Sequence, residues 1–310
     1  MPSGDHSSQL SYVLITPARN EERFIGGLLK SVTQQTVLPS KWVIVNDGST
    51  DATAAIVSAY AAKHDWIELL NLPVHRDRSF AAKVYAFNAG FARTEDCRYQ
   101  IIGNLDSDVS FDAGYCQFLL NKFQQDERLG VAGTIFREDG YSSETDSFEG
   151  QTHVAGGCQF FRRECFRQIG GYVPNKAGGI DWIAVTSARM MGWTTRSFRE
   201  KYFFHHRSLG TAERSVLASA FSYGEKDYYL GGHPLWQFFR VAYRATKKPY
   251  IVGGGALFMG YLAAFVRRME RPVSKDLIKF HRKEQMAKLK VILKSIITFK
   301  KISSFEVKAT

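Results

Sequence analysis

The sequence predicts an α/β protein: a mostly parallel sheet flanked by helices, followed by a basic helical extension. Three observations carry this reading. Short apolar runs alternate with stretches of helical periodicity through residues 12–136, and repeated strand–helix units imply a parallel sheet with helices on its faces. Polar, turn-forming clusters follow directly on several of the apolar runs. Basic charge collects at the end: residues 241–310 hold 16 Lys and Arg against 4 Asp and Glu, a net +12, whereas residues 1–240 hold 25 against 26.

The elements follow in order. Residues 12–16 (YVLIT) form a short apolar run that stops at Pro17. Residues 21–34 carry Phe24, Ile25, Leu28, Leu29 and Val32 on one helical stripe. Residues 42–45 are a second strand, ended by Asn46-Asp47-Gly48-Ser49, and Asp51 is placed to cap a helix through about His64. Residues 67–72 read as a third strand and 81–92 as a third helix. Residues 99–105 are the fourth strand, followed by a helix around 113–123 and a fifth strand over 131–136. In such sheets ligands bind beyond the carboxyl ends of the strands, so the residues after Thr16, Val45, Leu72 and Leu105 are expected to line one cleft. Residues 137–210 are less regular, with three Gly pairs and a helix expected over 182–191.

Composition narrows the class. The 310 residues are 45% hydrophobic and 23% charged, which fits a globular chain and excludes disordered, collagen-like and coiled-coil proteins. Cys97, Cys116, Cys158 and Cys165 show no Cys-x-x-Cys spacing, which disfavours a zinc ribbon or a redox motif and makes a reducing compartment the expectation. The polar start MPSGDH is read as carrying no signal peptide. There is no Gly-x-Gly-x-x-Gly after the first strand and no Walker loop.

The last third changes character. Residues 249–266 carry no charge, and 18 residues lie near the lower end of the roughly 17–25 that span a bilayer. Residues 267–310 hold 13 Lys and Arg, and such charge prefers the cytoplasmic side. A hairpin or a surface-lying segment satisfies both facts better than a single span. Met286, Leu289, Ile292, Leu293, Ile296 and Phe299 then fall on one helical face, with Lys288, Lys290 and Lys294 as cationic flanks, the pattern of a basic interfacial helix.

Several residues bear chemistry. Asp106 and Asp108, one residue apart at the mouth of a strand, repel unless a cation sits between them; hard divalent cations take such oxygens together with phosphate oxygens. The bland alternative is a solvated turn. Asn46-Asp47-Gly48-Ser49 is either an ordinary turn or a carboxylate placed to accept a base N–H. Lys83 and Asn88 lie on the third helix, either solvated or, for Lys83, meeting a diphosphate. Asp181 is either a helix cap or a general base for an acceptor hydroxyl. His205-His206-Arg207 follows an aromatic run; His205 is a third metal ligand or a structural residue, and Arg207 suits an anion.

The runs VLITPARNEERFIGGLLKSV, WVIVNDGSTDATAAIV and NLDSDVSF resemble the family 2 glycosyltransferases with the GT-A fold. GGCQFFRRECFRQIGGY and GGIDWIAVTSARMMGW are similar to the acceptor half of that family. The resemblance covers about residues 11–210, divided at 136 into a nucleotide-sugar half and an acceptor half. Residues 1–10 are then a flexible start and 211–310 a helical, membrane-associated extension.

The resemblance implies a nucleotide-diphosphate sugar donor, a divalent cation (Mg or Mn) and inversion at the anomeric carbon. Its donor contacts fall on Pro17, Ala18, Asn20, Glu21, Asp47, Lys83, Asn88, Asp106 and Arg207. The metal falls to Asp106 and Asp108, with His205 added, and the base to Asp181. The family often has two acidic residues where this chain has Asn46-Asp47, and again where it has Ile180-Asp181. Gln-x-x-Arg-Trp, carried by processive synthases, is absent, so single addition is expected. The expected setting is the cytoplasmic face of the cell membrane, as a peripheral or hairpin-anchored protein. Its partners there are an anionic lipid surface and a glycan or lipid-linked acceptor of polysaccharide or glycolipid synthesis, with no nucleic acid. Two rivals are a sugar-phosphate nucleotidyltransferase, which needs a basic Gly-rich loop that residues 17–21 lack, and a non-catalytic membrane module.

Overall fold

The computed structural model describes residues 10–75, 79–144, 150–207 and 216–298. Of the expected flexible start, residues 1–10, positions 1–9 lie outside them, and Leu10 is partly buried against the core. The first half runs β1 (Tyr12–Ala18), α1 (Ile25–Thr33), β2 (Lys41–Asp47), α2 (Thr53–Ala61), β3 (Ile67–Leu72), α3 (Phe80–Ala92) and β4 (Ile101–Leu105). The second part adds β5 (Val109–Ser110), α4 (Tyr115–Gln125), β6 (Leu129–Glu138), β7 (Tyr141–Ser142), β8 (Cys158–Arg162), α5 (Arg163–Gln168), α6 (Ile180–Met190) and β9 (Thr194–His205). The extension is α7 (Val216–Tyr229), α8 (Pro234–Ala245), α9 (Tyr250–Val266) and α10 (Lys275–Ile297).

The sheet order is β3-β2-β1-β4-β8-β6-β9-β5, with β7 on β6. The four strands of the first half are all parallel, as their strand–helix alternation predicts. Antiparallel pairs enter only with the later strands: β8 lies against β4 and β6, and β5 against β9. The sheet is therefore parallel on one side and mixed on the other.

Side-chain alternation along the strands builds two cores, one on each face. Tyr12, Leu14, Trp42, Ile44, Ile101 and Leu105 point to one face, where Leu28, Leu29 and Val32 of α1 and Leu119, Leu120 and Phe123 of α4 cover them. Val13, Ile15, Val43, Val45 and Ile102 point to the other, beneath Val84 and Phe87 of α3, Phe166 of α5 and Val185 of α6. Near-continuous apolar runs are the signature of strands buried on both faces.

In the extension, α7 and α9 cross at very close range. A Cβ at Gly260 would lie 1.9 Å from the Phe221 carbonyl oxygen, and one at Gly224 would lie 2.0 Å from that of Leu257. Both positions require glycine because backbone meets backbone there. Tyr228 and Tyr229 of α7, Leu230 just beyond it, Ala264 of α9 and Leu277 of α10 share one buried cluster with Trp182 and Ile183 of α6.

The uncharged segment is the helix α9, and no helix among the described residues is long and apolar enough to cross a membrane. The expected single apolar face of the last helix is divided. Leu289 and Ile292 turn inward onto Trp236 of α8, with Met286 and Phe239 beside them, while Leu293 and Ile296 are exposed. Lys288, expected as an exposed flank, is 6% exposed, whereas Lys290 and Lys294 are open. The stripe has the right period, but α8 offers it an apolar partner that local periodicity does not reveal. Phe299 lies outside the described residues.

Candidate active site

Because β3, β2, β1 and β4 run parallel in register, their carboxyl ends share one edge of the sheet. A cavity of about 330 Å³ opens there. Its wall takes Pro17, Ala18, Arg19 and Glu21 from the end of β1 and its loop, and Asp47 from β2. Ser79, Ala82 and Lys83 come from the start of α3, Asp106, Ser107 and Asp108 from the end of β4, and Arg207 from just beyond β9.

The antiparallel strands complete it. Val109 of β5 pairs with His205 of β9, and the His206 N–H donates to the Asp108 carbonyl at 2.9 Å. This sets His205 beside Asp108, with Nε2 3.6 Å from the carboxylate, although 97 positions separate the two residues in sequence. Nδ1 of His205 lies 3.1 Å from the carboxylate of Glu138, at the end of β6. One ligand atom from each of Asp106, Asp108 and His205 falls within 4.8 Å of the others, a spacing that fits a divalent cation.

The electrostatics fit the same use. Lys83 Nζ sits 2.5 Å from Asp106, and Arg207 bridges Glu21 at 2.7 Å and Asp108 at 3.6 Å. Burial and the neighbouring Asp106 push the Asp108 carboxyl up, against the pull of His205, Arg207 and Lys83. Burial likewise pushes Glu21 up, opposed by Arg207. Burial works against the Lys83 charge, but Asp106, Asp108 and Asp181 together raise its pKa. A bound cation relieves the cost of crowded carboxylates, as does a protonated one.

Asp181 is half-buried in the first turn of α6, packed against Gly156. The helix begins two residues before its expected start. Its N-cap is Gly179, in the left-handed conformation at φ 81°, so Asp181 is not the cap. Burial raises the Asp181 pKa, but Lys226 of α7, His153, the Trp182 N–H and Lys83 together hold it below the usual value. Asp181 does not line the cavity around Asp106, yet both carboxylates act on the Lys83 charge.

Three expected donor residues behave differently from one another. Asp47 meets His75 Nε2 at 2.7 Å, and Arg19 donates to the His75 carbonyl. Asn20, at φ 55°, accepts the Thr50 N–H at 2.8 Å and so ties the loop after β1 to the loop after β2. Asn88 is exposed on α3 and lies away from the cavity wall. Asn46 is not in the cavity wall: it donates to Asn71 at 2.8 Å and accepts from the Ser49 N–H at 3.1 Å.

Glu138, His75 and Ser79 were not singled out by the sequence. Each reaches the site through strand register or a loop, which leaves no local signal.

Residues 13–170, about half of the chain, match the family described as Glycosyl transferase family 2. The chain belongs to this family. A 4,4'-diaponeurosporenoate glycosyltransferase of Staphylococcus aureus (strain bovine RF122 / ET3-1) is 36% identical over 124 residues, which are 39% of this chain and 30% of that protein. The same enzyme from strain MRSA252 is 36% identical over 121 residues, 38% of this chain and 29% of that protein. The family 2 chain thus matches about 30% of the length of these curated relatives. Among solved structures it is similar to a mannosyltransferase, PcManGT from Pyrobaculum calidifontis, in complex with GDP-Man and Mn2+. The TM-score is 0.54 at 19% identity, over 95% of this chain and 82% of that one. It is also similar to S. aureus TarS 1-349 in complex with UDP-GlcNAc, with a TM-score of 0.53 at 14% identity, over 94% and 93% of the two chains. At these identities the likeness is one of fold, and the GT-A type α/β architecture expected from the sequence is the one found.

Proposed function

We propose that this family 2 chain is an inverting glycosyltransferase. It moves one sugar from a nucleotide-diphosphate sugar to an acceptor hydroxyl. The observation that carries this is the convergence of Asp106, Asp108 and His205 with Lys83 and Arg207 at the carboxyl edge of a parallel sheet. Structural neighbours with this fold have been crystallised with GDP-Man and Mn2+ or with UDP-GlcNAc, which supports the same donor class here.

Asp106, Asp108 and His205 would hold Mg or Mn, which supplies positive charge beside the donor diphosphate. Pro17, Ala18, Glu21 and Asp47 bound the nucleotide end of the cavity, with Asp47 held in place by His75. Lys83 and Arg207 face the diphosphate and stabilise the charge that develops on it as the bond from the anomeric carbon to the phosphate oxygen breaks. Asp181 receives the acceptor proton as the acceptor oxygen bonds to that carbon from the opposite side. The basic extension supports a lipid-linked glycan acceptor of polysaccharide or glycolipid synthesis at the cytoplasmic face of an anionic membrane.

The test is a screen of nucleotide sugars for cation-dependent hydrolysis and transfer by the purified chain. One donor should be hydrolysed with Mn or Mg and not with EDTA. Asp108→Asn should remove cation-dependent nucleoside diphosphate binding while keeping the thermal melt. Equal binding by this variant and the wild type overturns the assignment.

A further inference from the structure

The helix α9 is built the opposite way round from an ordinary surface helix. Its buried positions are Gly253, Gly254, Leu257, Gly260 and Ala264, mostly small, and they let α7 and α8 approach closely. Its large apolar residues face outward: Val252, Met259, Leu262, Phe265 and Val266 are all exposed, the last at 70%. Phe238 of α8, also exposed, extends this surface through its ring contact with Phe258 at 6.1 Å. Exposed apolar faces of this extent mark interaction sites rather than ordinary solvated surface.

The charges say what the face meets. Residues 249–266 carry none, Lys247 and Lys248 precede them, and Arg267 and Arg268 follow. All four cations are exposed. At 1.5 Å per residue, the 17 residues of α9 measure about 25 Å, short of the roughly 30 Å hydrocarbon core. Upright insertion would drag one pair of cations into hydrocarbon. Lying flat places both pairs at headgroup level and the apolar face in the acyl boundary. A second copy of this chain fits less well, because its own basic ends would meet these.

We propose that α9, with the adjoining face of α8, is a docking surface that lies in the plane of an anionic lipid bilayer. The proposal rests on the glycosyltransferase reading for its purpose. Ala264, on the inner side of α9, belongs to the same buried cluster as Trp182 and Ile183, neighbours of Asp181 on α6. The docked face is therefore one helix away from the proposed base, and the surface brings a lipid-borne acceptor to the acceptor side of the cleft.

Flotation of the full chain with phosphatidylcholine vesicles, with and without phosphatidylglycerol, tests this. The wild type should float with the anionic vesicles and largely remain behind with the neutral ones. Met259→Glu together with Val266→Glu should abolish flotation. Lys247→Gln together with Lys248→Gln should weaken it more than tenfold, at roughly fivefold per cation, with the loss reduced at high salt. The thermal melt and donor hydrolysis, measured without vesicles, should be unchanged in all variants. Wild type that stays unbound, or a double Glu variant that floats as well as wild type, overturns the proposal. A wild-type dimer in sedimentation equilibrium that the double Glu variant breaks, without vesicle binding, shows a second copy on this face and also overturns it. If flotation behaves as expected but no nucleotide sugar is hydrolysed, docking stands and the transferase reading falls.

Discussion

The first four strands and the C-terminal helices are both rich in apolar residues, and they spend them in opposite directions. In β1 and β2 the apolar side chains are fully buried between two helical layers. In α9 most of the large ones face outward, and the buried positions are small apart from Leu257. The difference shows that apolar content alone does not locate a core. What decides is whether a neighbour of matching shape exists, and for α9 the glycines make room for one only on the inner side.

The contrast can be broken most severely at the cleft. Asp181→Asn should slow transfer by about 10²–10⁴-fold, the range for loss of a general base, and leave donor affinity close to wild type. Single-turnover transfer beside donor titration separates the two, and near wild-type turnover would place the base elsewhere. Next comes Glu138→Gln. The carboxylate beside His205 Nδ1 orients the ring, so its loss should weaken Mn binding by about 10–100-fold with an unchanged melt. Calorimetry with Mn alone reads this without any turnover.

The extension offers a smaller and different effect. Gly260→Ala forces a methyl group into the Phe221 carbonyl and should cost about 1–3 kcal/mol, seen in urea unfolding. Hydrogen exchange should quicken in α7 and α9 and not in β1 or β2. Uniform quickening would mean that the two regions unfold as one unit.

The mildest test is pH. The folded pKa of Asp181 lies below its unfolded value, so its ionised form stabilises the fold above that unfolded value. The contribution is lost as pH falls through the folded value. The acid limb of kcat/KM attributable to Asp181 should therefore lie below about pH 4, the ordinary aspartate value. A limb near pH 6 would point to another group.

Much of the first half was legible because its signals are local. The third strand, residues 67–72, was read with the boundaries observed, and residues at or after the ends of β1, β2 and β4 do line a cavity, whereas those directly after β3 do not. Asn46 shows the limit of such reading: one strand over, Asn71 supplies the partner that makes it structural. Glu138 depends on a parallel pairing between β6 and β9, and no periodicity in either strand announces that partner. The inward turn of Leu289 and Ile292 depends in the same way on Trp236, more than fifty residues earlier.

The pairing of Val109 with His205 also has a temporal meaning. A chain emerging from the ribosome presents both aspartates about a hundred residues before the histidine that joins them. Strand β9 must pair with β6 and β5 before Asp106, Asp108 and His205 come together. A nascent or prematurely ended chain therefore carries Asp106 and Asp108 without His205, and the proposed three-residue cation site is complete only once β9 has joined the sheet.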